Sequence, residues 1–427
     1  MKLAILGGGG FRVPLVYAAV LAQRTGRAIR EVALYDTDAT RLAAIGHVLD
    51  QQAQRHTVSV REPGADSSVA DATGEPAGVI ATTSLDAALE GADFVFSAIR
   101  VGGLPGRIAD ERLALDLGLL GQETTGPGGV GYGLRTVPVA LDIAERVRRL
   151  APQAWVINFT NPAGLVTQAM QTVLGDRVVG ICDSPLGLAS RAAGALGLAV
   201  TDVEIDYAGL NHLGWLQGLR VDGRDVLPDL LADAGRLGSF EEGHLFGPEW
   251  LQTLGAIPNE YLFYYDFTRE AIGQITASAQ TRGEYLLAQQ GDFYAAVGAA
   301  PQTALATWDA ARRDRNATYM QETRTVSSAP GQGAPLARAE ADIEGGGYEG
   351  VALALMTAIA SDQPATLILN VRNGTGSGGL AIPGLPEDAV VEVPCRVTGL
   401  GPEPLPVSPL RGRSLGLVQQ VKAVDEL

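Results

Sequence analysis

Cysteine is scarce in this chain of 427 residues. Cys182 and Cys395 are too few for a disulfide framework and read as reduced thiols of a reducing compartment. Charge is sparse as well: 19% of residues are charged, and 32 Lys and Arg against 48 Asp and Glu give a formal net charge of −16. No dense basic run occurs, which excludes the phosphate-backbone contacts that nucleic-acid binding needs. A small anion stays possible, because one or two arginines in a pocket act locally against the global field. No segment approaches the roughly 18 uninterrupted apolar residues of a membrane span. The apolar run in MKLAILGGGG is too short for a signal-peptide core, so the expectation is a cytoplasmic protein without membrane or nucleic-acid partners. What is present in quantity is apolar: 46% hydrophobic residues and no polar low-complexity tract, enough for a sizeable core.

The first half alternates apolar runs with amphipathic segments. Leu3 to Leu6, Glu31 to Asp36, Asp93 to Ile99, Ala154 to Phe159 and Arg177 to Cys182 read as buried parallel strands. Arg12 to Gln23, Thr40 to Gln54, Pro105 to Leu117, Tyr132 to Leu150 and Pro162 to Leu174 carry helical periodicity between them. Repeated βαβ units predict an α/β fold with a doubly wound sheet. After about Val200 the alternation gives way to Val203 to Leu210 and a following strand pair around Asp222-Gly223, then to helices from Trp250 to Thr323. Val326 to Gly347 reads as a mobile loop, and the end of the chain as a helix, the strand ATLILNV and Pro/Gly-rich turns. The expected division is a Rossmann-type dinucleotide-binding domain over residues 1–200 and an α+β lobe over 201–427 that binds metal and substrate.

The strongest local signal is a short strand running into Gly7-Gly8-Gly9-Gly10, Phe11 and Arg12 and then a helix, with Asp36 closing the next strand. Glycines let a pyrophosphate approach the helix N-terminus, and a carboxylate at that strand end suits the adenosine ribose hydroxyls, favouring NAD over NADP. Arg12 stands where the fingerprint has its third glycine. Further candidates gather where strands end. Cys182 and Asp183 follow the fifth run; Cys182 with His212 of GLNHLGW offers a thiolate and an imidazole to one divalent metal, although each alone fits a buried core position equally well. Asn161 of NFTNP is either an N-cap or an amide for substrate. Arg100 suits an anionic group, and Gly121 to Gly129 reads as a long turn or part of a site. Tyr261 lies in a tyrosine-rich cluster and becomes a base only if a metal or Arg282 stabilises its phenolate.

In order, LGGGGFR, ALYD, IRVGG, GQETTGPGG, NFTNP, GICD, GLNHLGW, NEYLFYY and VVEVPC resemble the NAD- and metal-dependent glycoside hydrolases of family four, with IRVGG and GQETTGPGG most like 6-phospho-β-glucosidases. The resemblance implies a lactate/malate dehydrogenase-like superfold and Cys182 and His212 as ligands of Mn²⁺ or another divalent metal. It implies Tyr261 as the base that takes the proton from sugar carbon 2, and Asp183 as acid for the leaving group. Arg100, facing a 6-phosphate, and Asn161 would bind substrate, with Arg282 beside the base. NAD would remove a hydride from carbon 3, so that carbon 2 becomes acidic; elimination, water addition and hydride return complete a net hydrolysis. Homodimers or homotetramers are usual in the family. Asp183 directly after the cysteine is the choice more familiar from α-acting members, and relatives usually continue past VKAVDEL. The competing readings are a 2-hydroxyacid dehydrogenase of the lactate/malate type, which needs a His–Asp pair and no metal, and a non-catalytic NAD sensor.

Overall fold

The structure is a computed structural model and describes residues 1–23, 28–61, 75–320, 347–374 and 378–427. The expected mobile loop, Val326 to Gly347, lies outside the described residues except for Gly347. The anticipated parallel strands form as β1 (Lys2–Leu6), β2 (Glu31–Tyr35), β4 (Phe94–Ser97), β5 (Trp155–Asn158) and β6 (Val178–Gly180). One strand was not anticipated, β3 (Gly78–Thr82), which pairs parallel with β2. It is the sheet edge, and its mostly exposed residues carry no buried apolar run to announce it. Helices cover both faces. Those at Ala39–Arg61 and Val13–Ala22 pack on one side, and those at Gly126–Leu150 and Ala163–Leu174 enclose a second apolar cluster on the other, as a doubly wound sheet requires.

The second half does not build a separate sheet. Its strands β7 (Glu204–Leu210), β8 (Leu213–Val221), β9 (Arg224–Asp225), β10 (Ile257–Pro258), β11 (Ala365–Arg372), β12 (Val390–Thr398) and β13 (Gly401–Pro404) extend the first sheet. The order becomes β10-β8-β7-β12-β11-β6-β5-β4-β1-β2-β3, with β13 on β12 and β9 on β8. The junction is antiparallel, Asn370 of β11 opposite Gly180 of β6. Asp222 and Gly223 turn β8 into β9 with φ of 50° and 78°, as their types suggested.

Three expectations are corrected. The end of the chain is not only helix, one strand and turns, because VVEVPCRVT is the nine-residue strand β12. Pro394 argued against a strand there. It falls where β12 changes neighbours, from β7 at Glu392 to β13 from Cys395 onward, so the missing N–H interrupts neither ladder. The glycine-rich stretch is not a long turn: Gly126 to Gly129 open the 25-residue helix Gly126–Leu150. A Cβ on Gly128 would stand 2.1 Å from the Gln122 carbonyl oxygen, so these glycines serve a close contact between the helix start and the preceding segment. Finally, Asn161 is no N-cap. The helix Ala163–Leu174 is capped by Pro162 without a side-chain bond, and Asn161 precedes it on a cis peptide.

Candidate active site

The ends of β1, β4, β5 and β6 open into one cavity of about 1570 Å³ that also receives residues from the β7–β8 hairpin and from the C-terminal half. A pocket for a single small ligand measures roughly 300–1,000 Å³. The cavity therefore has room for two ligands side by side, a dinucleotide and a sugar.

At its β1 wall the glycine loop is shaped by close contacts. The N–H groups of Gly7 and Gly8 donate to the Tyr35 carbonyl at 2.9 and 2.7 Å, and Gly7 takes φ 84°. A Cβ on Gly7 would lie 2.6 Å from the Ala98 oxygen, and one on Gly8 2.7 Å from Leu34 Cβ, so side chains are excluded from the bend. Gly9 N donates to Asp36 Oδ2 at 3.0 Å, which ties the acidic strand end to the loop. Arg12, at the third fingerprint position, has φ −92°, a conformation open to any residue. Helices of the C-terminal half clamp the loop from outside: Tyr294 donates to the Gly9 carbonyl at 2.6 Å and Trp308 Nε1 to that of Phe11 at 2.8 Å. Phe11 is buried edge-on against Phe293. This cradle, with a helix starting at Val13 and a carboxylate beside it, fits a dinucleotide pyrophosphate and ribose.

Beside the cradle the structure brings Cys182, Asp183, His212 and Tyr261 to the same cavity. Register explains how residues so distant in sequence meet. Gly180, Asn370, Glu392 and Gly209 pair in one row across β6, β11, β12 and β7, so the end of β6 and the tight hairpin Asn211-His212 lie at the same level of the sheet, with β11 and β12 between them. His212 takes φ 61°, an uncommon conformation for a non-glycine residue and one often met at functional sites. Its ring lies flat on that of Tyr261, 3.7 Å between centroids and 3° between planes, and Nδ1 stands 3.0 Å from Thr124 Oγ1. Tyr261 accepts a 2.9 Å hydrogen bond from the Tyr319 hydroxyl.

Burial keeps these groups uncharged in the absence of a cation. Burial, with Glu392 and Asp183 adding to it, pushes the Cys182 thiol well up, so it is neutral on its own. Burial pushes His212 down to about 4, leaving the neutral imidazole that a metal ligand must be. Burial and then Glu260 push the Tyr261 hydroxyl up, while the bond from Tyr319 works the other way. A divalent ion would reverse the balance for thiol and phenol alike. Among the described residues no group of three or more His, Cys, Asp or Glu gathers to hold a metal. Cys182 and His212 line the cavity as two donors that a divalent ion could share with substrate oxygens.

The remaining expected residues also reach the cavity. Asn161 lines it, and Asp183 precedes the helix Ser184–Ala195 without capping it by its side chain. Arg100 forms an ion pair with Glu123 at 2.7 Å, and Glu123 also holds Arg107 at 2.9 Å. Arg282 lines the cavity with its guanidinium donating to the carbonyls of Thr318 and Arg315. Sequence reasoning gave no role to Thr124, Glu123, Arg107, Arg315 and Tyr319. Thr124 and Glu123 lie inside the GQETTGPGG motif, a signal that was there to use, whereas Arg315 and Tyr319 belong to no motif.

A family model described as family 4 glycosyl hydrolase matches residues 2–198, and one described as its C-terminal domain matches residues 207–427. The chain belongs to family 4 of the glycosyl hydrolases. It is 30% identical to a probable 6-phospho-beta-glucosidase of Bacillus subtilis, over the whole of this chain and 87% of that one. Among solved structures it is similar to the 6-phospho-beta glucosidase of Thermotoga maritima with manganese, NAD⁺ and glucose-6-phosphate, at 23% identity and TM-score 0.75. A 6-phospho-alpha-glucosidase from gut microorganisms with NAD and glucose-6-phosphate gives 25% identity and TM-score 0.75. Each of the two similarities covers 100% of this chain and 88% of the other. No described helix is long and apolar enough to cross a membrane.

Proposed function

We propose that this family 4 enzyme hydrolyses 6-phospho-β-glucosides with NAD and a divalent metal, Mn²⁺ by preference. The observation that carries the reading is the meeting, in one cavity, of the dinucleotide cradle at Gly7 to Gly10, the Cys182 and His212 donors and the His212–Tyr261–Tyr319 stack. A lactate/malate-type dehydrogenase would use His212 with an aspartate for proton transfer; here the imidazole is stacked on Tyr261, with Nδ1 3.0 Å from Thr124 Oγ1, and lines the same cavity as Cys182.

When bound, NAD supplies reversible hydride transfer at sugar carbon 3 and the cation supplies polarisation of the sugar oxygens. Cys182 Sγ and a His212 ring nitrogen would hold the cation, and the Gly7 to Arg12 loop with Asp36 the cofactor. Tyr261 is the base for the proton on carbon 2, held in place by the flat contact with His212 and the bond from Tyr319. Asp183 is the acid for the departing aglycone. Arg100 and Asn161 bind the sugar, and Arg282 braces the segment that carries Tyr319 through its bonds to Thr318. The division into a dinucleotide-binding part over 1–200 and a metal- and substrate-binding part over 201–427 assigns cradle and base to different parts. We place the enzyme in the cytoplasm as a homodimer or homotetramer.

The test is hydrolysis of an anomer-paired panel of 4-nitrophenyl 6-phosphoglucosides and their unphosphorylated counterparts. Cleavage of the β-anomer should require both NAD⁺ and Mn²⁺ without net NADH, and Tyr261→Phe should abolish exchange of the carbon 2 proton with deuterated water. NADH accumulation, activity indifferent to chelator, or preference for the α-anomer would each overturn the corresponding part.

A further inference from the structure

Three groups of the reaction centre come from distant stretches of chain: Cys182 after β6, His212 at the bend between β7 and β8, and Tyr261 after β10. One residue, Asn259, bonds to all three stretches. It is fully buried, follows β10 and donates its backbone N–H at 2.9 Å to the carbonyl of Gly214, on the strand that leaves the His212 bend. Its Oδ1 accepts from the Tyr261 backbone N–H at 3.1 Å and so caps the turn Glu260–Leu262. Its Nδ2 donates to Ser184 Oγ at 2.8 Å, and Ser184 Oγ stands 3.4 Å from Cys182 Sγ. Neither Asn259 nor Ser184 has a part in the activity proposed above.

The direction of these bonds follows from what each group can give. A backbone N–H only donates, so the amide oxygen must face Tyr261 and the amide nitrogen, itself only a donor, must face Ser184. Ser184 Oγ therefore accepts from Asn259 and keeps one hydrogen to give. Cys182 Sγ is the acceptor within reach: the thiol's own hydrogen has a separate acceptor in Asp183 Oδ1, 3.9 Å away, and a metal-bound thiolate has no hydrogen at all. The chain runs one way, from the Asn259 amide through the Ser184 hydroxyl to the sulfur.

We infer that Asn259, acting through Ser184, is a positioning residue that sets the metal-binding sulfur in register with the base. This inference rests on the roles proposed above for Cys182 and Tyr261 and deepens them. A hydrogen-bond partner behind a metal ligand fixes where the ligand atom sits and how it is oriented. Here that partner is held in turn by the amide that caps the Tyr261 turn, and the backbone of the same residue is tied to the strand next to His212. A shift of the sulfur relative to the base has to break a bond in this buried chain, where a lost partner leaves a polar group unsatisfied. As a turn cap alone Asn259 would need only its Oδ1, a part that serine plays as well. The bond to Ser184 is what the cap does not require.

The experiment compares wild type with four variants. Ser184→Ala removes the hydroxyl, and Ser184→Thr restores it. Asn259→Ser keeps a cap for the Tyr261 turn but is too short to reach Ser184, and the fourth protein combines Ser184→Ala with Asn259→Ser. Calorimetry reads Mn²⁺ binding to the NAD⁺-loaded protein and, separately, NAD⁺ binding; a melting curve shows that each protein is folded. Ser184→Ala and Asn259→Ser should each lose on the order of 10- to 100-fold in Mn²⁺ affinity, the range for a partner behind a metal ligand. NAD⁺ affinity should change by no more than about threefold. Because both residues act along one chain, the double variant should lose no more than the larger of the two single losses. Ser184→Thr should bind Mn²⁺ within about threefold of wild type, as a hydroxyl at this position requires. If Ser184→Ala does not fold, Asn259→Ser carries the test. Mn²⁺ affinity within about threefold of wild type in the folded single variants, or losses that add in the double variant, overturn the inference while the proposed metal site stands. A wild type that binds no Mn²⁺, or a Cys182→Ala variant that binds it as tightly as wild type, removes the metal from the proposed function itself, and the positioning role with it.

Discussion

Replacing Glu123 by Gln tests whether charge holds the arginine side of the cavity in place. Burial opposes ionisation of this carboxyl, yet Arg100 and Arg107 hold it far below the usual carboxylate range. The side chain is 16% exposed and that of Arg107 only 7%, so the ion pairs are screened little. Removing one partner of a buried pair costs about 3–5 kcal/mol, and because Arg107 keeps Glu111, the lower end is expected, about 3 kcal/mol. Unfolding entropy of roughly 2.1 cal/mol/K per residue over 427 residues is about 0.9 kcal/mol/K, so the melting temperature should fall by about 3 °C at pH 7. The sign with pH follows from the depressed folded value. The stabilisation is fully present above the unfolded value of 4.5 and is lost as pH falls towards the folded one. At one unit below 4.5 about 1.4 kcal/mol of the gap between wild type and Glu123→Gln should be gone. Calorimetric melts of both proteins between pH 7 and pH 3.5 measure this. A variant that melts with wild type at pH 7, or a gap that does not narrow on acidification, refutes the electrostatic account of this cluster.

Other perturbations probe the remaining walls. Gly8→Ala places a methyl 2.7 Å from Leu34 Cβ and should weaken NAD⁺ binding by at least about tenfold, read by calorimetry; unaltered affinity would mean the loop is not the cradle. Tyr319→Phe removes the bond to Tyr261 and should lower kcat on the order of tenfold with little change in KM, whereas a pure KM effect would move Tyr319 to substrate binding. Glu392, held by Tyr207, Asn211 and Asn370, is pushed up to about 7 by burial against an ordinary 4.5. A raised carboxyl binds its proton more tightly when folded, so stability drops as pH rises from 4.5 to 7, by up to about 3 kcal/mol at this one group. Glu392→Gln should melt with a flatter pH profile over that window, and identical profiles would show that the row beneath His212 is not under this strain.

How much of this was legible in the sequence depends on what a residue is required to do by the backbone. The glycine loop, Asp36, Cys182 and His212 sit at strand ends or tight bends, where chain geometry restricts the residue type, and motifs record the restriction. The five buried parallel strands announced themselves through apolar runs for the same reason. The exposed edge strand β3 and the proline-bearing β12 did not, since one has no buried face and the other carries a residue that usually argues against a strand. Groups delivered to the cavity by helices were harder still. In the segment DAARRDRNATY three arginines follow one another within four positions, and periodicity does not say which one turns inward. The fold decides it: Arg312 lies 3.8 Å from Asp309, Arg313 is exposed, and Arg315 alone of the three lines the cavity. Strand ends fix the residues at the bends by backbone geometry, whereas which side chain of an opposing helix faces the cavity is settled by tertiary packing and leaves no local signature.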